Sequence, residues 1–364
     1  MINFNLFPLL LSLLLSALIN PLVIFLYQKK DWLDDPQKNK HPKVIHEKAV
    51  PRGGGIAIFL AVLISCCLFL PIDKHLLGIL VGALVLTFVG ILDDIYDLDP
   101  KLRLIMGFLA AAIVVGSGIG IAYISNPLGN SIIDLSNPRI NFNFLGPHSI
   151  WILADIFALL WIVSLMNFIN WSKGLDGQLP GTVSIAALTI ALLAGKFSAD
   201  ITQWNTQTLA LIICGAFLGL LIWNIYPQKI MPGYGGGSLA GYFLAVLAIL
   251  STTKVGTLMI VLGIPLVDAI YVILRRIMAG KSPLWGDTRH LHHTLLKLGW
   301  SKQKIAYFYW FITAILGILA LNLNSQQKFY TIILIIIAFG IFLIWIRHYI
   351  TSSSAQDRDN GSKI

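Results

Sequence analysis

The stretch LLGILVGALVLTFVGIL, residues 76–92, is an unbroken apolar run that ends directly on Asp93 and Asp94, with Asp97 one helical turn beyond. At the α-helical rise such a run covers roughly 26 Å, close to the ~30 Å hydrocarbon thickness of a bilayer. It therefore reads as a membrane-spanning helix that delivers carboxylates to the membrane surface. If the helix continues, Asp93 and Asp97 stand i,i+4 and Asp94 and Asp97 i,i+3, so like charges converge on one face and call for a cation. A divalent ion such as Mg²⁺, which takes carboxylate oxygens and leaves positions open to phosphate, meets that need and suits phosphoryl transfer. An acidic helix end facing water accounts for the same residues.

The rest of the chain repeats the pattern. Of its 364 residues 57% are hydrophobic and 12% charged, beyond the apolar share of about 45–50% in soluble domains. Eleven or so apolar runs follow one another, at about 4–27, 55–71, 76–92, 103–123, 149–167, 180–195, 207–226, 237–252, 256–274, 304–321 and 329–347. The first lacks a basic leader and ends on Lys29 and Lys30, so it reads as a retained span. Cys66, Cys67 and Cys214 lie inside apolar runs and read as packing residues.

The loops between runs are charged on one side. Loops 28–54, 93–103, 167–180, 226–238 and 275–304 and the segment 347–364 hold 21 of the 26 Lys and Arg residues. By the positive-inside rule that side is cytoplasmic, with the N-terminus outside and the C-terminus inside. The formal net charge of +9 is then attraction to anionic headgroups, not a nucleic-acid surface. The expected fold is an all-α integral membrane protein of about eleven transmembrane helices, one polytopic domain over residues 1–350, with a disordered cytoplasmic tail over 351–364. One outer loop, 124–148, alternates Ile140, Phe142 and Phe144 with Asn141 and Asn143, which predicts a small outer β-hairpin.

The chemically suggestive residues all fall on the basic side. Residues 28–54 carry Arg52 and the triple glycine Gly53–Gly55, whose backbone is of the kind that forms anion nests. The fifth run ends in Asn167, Asn170, Lys173, Gly174, Asp176 and Gly177, a density of polar groups that is costly in lipid and expected to line a cavity. Pro232-Gly233-Tyr234-Gly235-Gly236-Gly237-Ser238 opens an apolar helix whose N-terminus suits a phosphate. Asp268 lies within apolar sequence, either as a functional acid or in a structural ion pair. Arg289, His290, His292 and His293 follow; three imidazoles suit Zn²⁺, and beside an arginine they equally suit a pyrophosphate.

In this order the clusters resemble the polyprenyl-phosphate N-acetylhexosamine-1-phosphate transferases, over about residues 31–300. The matching segments are Val50–Gly55, Leu92–Leu98 with Lys101-Leu102-Arg103, Asn167–Gly177, Ile264–Asp268 and Arg289–His293. The His-Leu-His-His form is more similar to the branch that transfers GlcNAc-1-phosphate than to the muramoyl-pentapeptide branch. The resemblance implies a multi-pass cell-membrane enzyme that moves HexNAc-1-phosphate from a UDP-sugar to undecaprenyl or another polyprenyl phosphate, releasing UMP. That is the first membrane step of cell-wall or surface polysaccharide synthesis. It implies Mg²⁺, with Mn²⁺ as a substitute, and a family in which homodimers occur.

By the same resemblance Asp93, Asp94, Asp97 and Asp176 are catalytic acids, and Asp93, Asp94 and Asn170 hold the metal. Arg52, Asn167, Asn170, Lys173, Arg289, His290, His292 and His293 contact nucleotide or phosphate. The chain departs from the family pattern at Lys173 and Tyr234, where the family has aspartates, and at Gly237, where it has serine. The two lost acids make the site about three charge units more positive. A catalytically altered relative that binds lipid carrier or nucleotide sugar without transfer is thus a second reading. A transporter is a third, motivated by the span number and Asp268.

Overall fold

The computed structural model describes residues 5–37, 48–126, 129, 131–143, 147–196, 201–251, 254–282 and 290–361. Helix α1 (Phe7–Lys29) starts with Pro8, whose missing N–H costs nothing in a first turn. It buries Ser12, Ser16 and Asn20 and exposes Leu10, Leu14, Leu18 and Leu22. Hiding serines and displaying leucines is the reverse of a water-soluble helix, and it is what a lipid solvent selects. The buried stripe packs on α7 (Ile201–Asn224). A Cβ on Gly219 would lie 2.5 Å from the Leu13 carbonyl oxygen, so glycine is what lets the two backbones touch.

Short antiparallel pairing of β1 (Leu33–Asp34) with β2 (Val50–Pro51) leads into α2 (Gly54–Phe69), which ends ahead of Pro71. Helix α3 (Lys74–Tyr96) begins where the Asp73 carboxylate accepts the Leu76 N–H at 2.8 Å. It ends at Asp97, whose left-handed backbone (φ 47°, ψ 69°) turns the chain. Asp99 then caps α4 (Pro100–Gly116), accepting the Lys101 N–H at 2.7 Å, with Pro100 in the first turn. The corner between α3 and α4 is therefore only a few residues long, which faces the first turn of α4 toward the last turn of α3.

Strand β3 (Tyr123–Ser125) pairs antiparallel with β4 (Ile132–Asp134), and β5 (Arg139–Asn143) with β6 (Pro147–Trp151). Phe144 lies outside the described residues. Helices α5 (Ile152–Trp171), α6 (Gln178–Lys196), α7 and α8 (Gly233–Leu250) follow. Helix α8 is the centre of the molecule: it touches α2, α3, α5, α6, α7 and α9 (Lys254–Val261), and its side chains are nearly all buried. Helix α10 (Gly263–Met278) leaves α9 at 85°. Pro265, with no N–H to continue the ladder, lies at that bend. The chain closes with α11 (Leu291–Lys297), α12 (Lys302–Ala320), N-capped by Ser301, and α13 (Ser325–Gly361).

Among the described residues eight helices are long and apolar enough to cross a membrane, or nine if the bent α9–α10 pair is one span. This is fewer than the eleven expected, although each of the eleven runs is helical. The difference lies in α2 and α4, of 16 and 17 residues, each shorter than the eight. Helix α13 also runs to Gly361, so residues 351–361, expected as an irregular tail, are helical in backbone. No Pro or Gly stands between 341 and 360 to stop it.

Candidate active site

The short corner after α3 sets Asp93 against α4. Asp93 is 4% exposed and its Oδ1 accepts from Arg103 Nη1 at 3.0 Å. Asp94, a helical step of ~100° around, faces the other way, and its Oδ2 accepts from the Tyr27 hydroxyl of α1 at 3.1 Å. The other Asp94 oxygen, Oδ1, is buried with no partner and lies 2.9 Å from where a Cβ on Gly233 would sit. Asp97 is exposed. It is the left-handed C-cap of α3, its N–H on the Asp93 carbonyl at 2.9 Å, and it lies within electrostatic reach of Asp93 and Arg52.

The glycines bring backbone to backbone. A Cβ on Gly55 would lie 2.5 Å from the Gly236 nitrogen, and one on Gly90 2.5 Å from the Gly235 Cα. Helices α2, α3 and α8 thus meet at a point where only hydrogen fits. The Met231 N–H donates to the Pro51 carbonyl at 2.7 Å and the Gly54 N–H to the Met231 carbonyl at 3.0 Å, zipping the two glycine-rich segments together. Those glycines serve helix approach; the anion nest expected of Gly53–Gly55 is filled by protein. Tyr234 turns its hydroxyl to donate to the Arg103 carbonyl at 3.1 Å, and the Arg103 guanidinium lies 5.4 Å over its ring. The tyrosine props up the arginine that holds Asp93.

The segment after α5 joins everything else. Asn170 Oδ1 is buried without a partner and abuts Gly237. Lys173 Nζ donates to the Gly233 carbonyl at 2.8 Å. Burial pushes the Lys173 ammonium down to about 8, outweighing the attraction of Asp93 and Asp94. Gly174 abuts His292 Nε2, and the Trp171 ring lies 6.3 Å from that of His290, tilted by 42°, with the Arg276 guanidinium 5.4 Å from the Trp171 ring. Asp176 is buried and accepts the Gln228 N–H at 3.2 Å, while Asn224 Oδ1 accepts the Gly177 N–H at 3.0 Å. Asp176 therefore latches this segment to the α7–α8 connection. Asn167 donates to the Val163 carbonyl of its own helix at 2.8 Å. Arg52 is tied to Asp34 at 2.6 Å.

The histidines hang from Asp268. Its Oδ1 accepts the Leu291 N–H at 2.9 Å, and its Oδ2 lies 2.8 Å from His290 Nδ1. A carboxylate there makes Nδ1 the donor and leaves Nε2 of a neutral ring as acceptor. The His290 and His292 rings are stacked at 5.8 Å and the His293 ring is 4.3 Å from that of His292. Burial, then His293 and His290, hold the His292 imidazole well below its ordinary pKa, so it is neutral at pH 7. Among the described residues no three His, Cys, Asp or Glu side chains are gathered as a metal site. Arg289 lies outside the described residues.

The site that results is a row: Asp93 and Asp94, then Lys173 and Asn170 against the start of α8, then Gly174 and the histidines. Tyr27 is an addition, and Arg103 and Trp171, which stood in the matching segments without a role, gain one here. Arg103 carried a signal, since a basic residue one turn past a Pro-started helix faces the preceding acidic corner. Tyr27 carried none, being 67 positions from its partner in the chain.

Residues 76–252 match the profile of glycosyl transferase family 4. The chain is 30% identical over 334 residues to a probable undecaprenyl-phosphate N-acetylglucosaminyl 1-phosphate transferase of Bacillus subtilis (strain 168), covering 90% of this chain and 87% of that one. It is 27% identical over 297 residues to a decaprenyl-phosphate N-acetylglucosaminephosphotransferase of Mycobacterium leprae (strain TN), covering 72% and 70%. A third relative is the undecaprenyl-phosphate alpha-N-acetylglucosaminyl 1-phosphate transferase of Thermotoga maritima, 25% identical over 333 residues, 91% and 94% of the two chains. With 30% identity carried over 90% of its length and a family profile that includes the acid pair, the chain belongs to glycosyl transferase family 4.

Proposed function

We propose that this protein transfers a HexNAc-1-phosphate, GlcNAc-1-phosphate foremost, from a UDP-sugar to a polyprenyl phosphate. An oxygen of the acceptor phosphate attacks the β-phosphorus of the nucleotide sugar. The bond from that phosphorus to the bridging oxygen breaks, UMP leaves with the bridging oxygen, and a lipid-linked sugar pyrophosphate remains. The observation that carries this reading is that one segment, Asn170–Gly177, touches both the α8 end beside Asp94 and the histidine group. A site that joins a carboxylate, an ammonium and imidazoles suits two polyanions that must meet.

Within it Asp94, with one oxygen unpartnered, positions the acceptor phosphate or takes its proton. Lys173 and the His290, His292 and His293 group hold phosphate oxygens. The concentration of Lys and Arg on one side of the span pattern supports a cytoplasmic site, where nucleotide sugar is found, with the lipid arriving sideways from the bilayer.

Purified protein given UDP-GlcNAc and undecaprenyl phosphate is expected to release UMP only when both are present. No UMP with any UDP-HexNAc, from protein shown to be folded, contradicts the proposal. The presence of Lys173 and Tyr234 where the family pattern has acids supports a second reading, a binder without transfer. It predicts nucleotide-sugar binding with no UMP.

Asp268→Asn tests the histidine arm. Asparagine still accepts the Leu291 N–H, but its amide forces the His290 proton off Nδ1. Losing a charge-assisted bond of about 1.5–3 kcal/mol lowers transfer by roughly tenfold or more. The melting temperature is expected to fall by a few degrees, with the loss of transfer measured on protein that remains folded.

A further inference from the structure

The family resemblance implies a divalent cation at Asp93, Asp94 and Asn170. Two oxygens there suit one: Asp94 Oδ1 and Asn170 Oδ1 are both buried and unpartnered. Between them, however, stands Lys173. Asp94 Oδ1 faces Gly233 and Asn170 Oδ1 faces Gly237, positions one turn apart on α8. Lys173 Nζ is fixed on the Gly233 carbonyl at 2.8 Å, and its Cδ lies 3.2 Å from where a Cβ on Gly237 would sit. The lysine thus spans the interval in which a cation bridging the two oxygens would lie, and an ammonium repels a divalent ion.

The charges are balanced without a metal. Asp34 is paired with Arg52 at 2.6 Å and Asp93 with Arg103 at 3.0 Å, while Asp94 is within electrostatic reach of Lys173 and Arg52. Tyr234, on the opening turn of α8, turns its hydroxyl to the Arg103 carbonyl and, as a neutral phenol, is a poor ligand for a hard divalent ion. Among the described residues no third His, Cys, Asp or Glu completes a metal set. The residues present do not fit the divalent ion that the resemblance implies.

We infer that the Lys173 ammonium takes the place of a divalent cation between Asp94 and Asn170, so that the site engages the diphosphate of a nucleotide sugar with no metal ion of its own. One of its three N–H groups holds Gly233 in place; two remain for phosphate oxygens. The cation is then supplied by the chain itself. The diphosphate clause rests on the transfer reading above, whereas the absence of a metal requirement does not.

The test uses the purified full-length chain. Mn²⁺ alone is titrated and followed by electron paramagnetic resonance, and UMP release is measured in excess EDTA and again with Mg²⁺. Wild-type protein is expected to leave the free Mn²⁺ signal undiminished and to release UMP equally with EDTA or Mg²⁺. Lys173→Asp is expected to take up about one Mn²⁺ per chain and to become EDTA-sensitive.

Stoichiometric Mn²⁺ binding by the wild type overturns the inference. So does wild-type UMP release that EDTA abolishes and Mg²⁺ restores, and so does folded Lys173→Asp that takes up no more Mn²⁺ than wild type. If Lys173→Asp does not fold, the wild-type measurements decide. If the wild type releases no UMP under any condition, the transfer reading falls, and the Mn²⁺ titration still decides this one.

Discussion

Asp94→Asn is expected to lower transfer of sugar phosphate to lipid by about 10²–10⁴-fold, the usual loss when a positioned acid or base is removed, with little loss of stability. The two adjacent acids differ in how they are used. Asp93 is committed to Arg103, and Asp93→Asn leaves a guanidinium facing a neutral amide across a buried contact. Its first effect is therefore on stability. Asp94 keeps one oxygen for the Tyr27 hydroxyl and holds the other unpartnered beside Gly233 and Lys173. An asparagine oxygen accepts the same tyrosine bond, so the fold is preserved while the second oxygen loses its charge. Steady-state transfer rates paired with thermal melting separate the two roles. Equal losses of stability in both variants, with equal residual activity, contradict this assignment.

Gly90→Val is expected to destabilise the protein severely and abolish transfer. A Cβ at Gly90 meets the Gly235 Cα at 2.5 Å, and that atom is backbone, so no rotamer change relieves it. Overpacking of this kind costs typically 1–3 kcal/mol, and here the relief is movement of α8, which carries the Gly233 and Gly237 positions of the site. Gly55→Val, aimed at the Gly236 nitrogen, is expected to behave alike. Gly116→Ala on α4 is the control: nothing lies within 4 Å of its Cβ position, and helix propensity favours alanine by about 0.5–1 kcal/mol. Melting temperatures of the purified variants check all three.

What could be read from the sequence follows the range of the interactions. Solvent class and helix limits are local: apolar runs, the Asp73 and Ser301 caps, and the Asp99-Pro100 start all lie within a turn of what they control. The acid pair and the histidine string were visible because each is contiguous. The partners were not. Tyr27 with Asp94, Asp268 with His290, and Asp176 with Gln228 join residues that no period relates.

Local backbone geometry escaped the sequence as well. Asp97 adopts a left-handed turn that helical spacing does not foresee. The glycine runs also bring helix backbones together, a role visible only in what packs against them. Pro265 was present in the ninth apolar run, yet hydropathy counts such a run as one span where the backbone bends by 85°.

The most direct measurement follows the β-phosphate. UDP-GlcNAc carrying ³²P at that position is incubated with the purified protein and undecaprenyl phosphate, and the label is partitioned between organic and aqueous phases. Transfer of sugar-1-phosphate predicts that the label enters the lipid phase together with the sugar, with UMP left unlabelled in water. Label that stays in the aqueous phase, as UDP or as unreacted nucleotide sugar, contradicts the account.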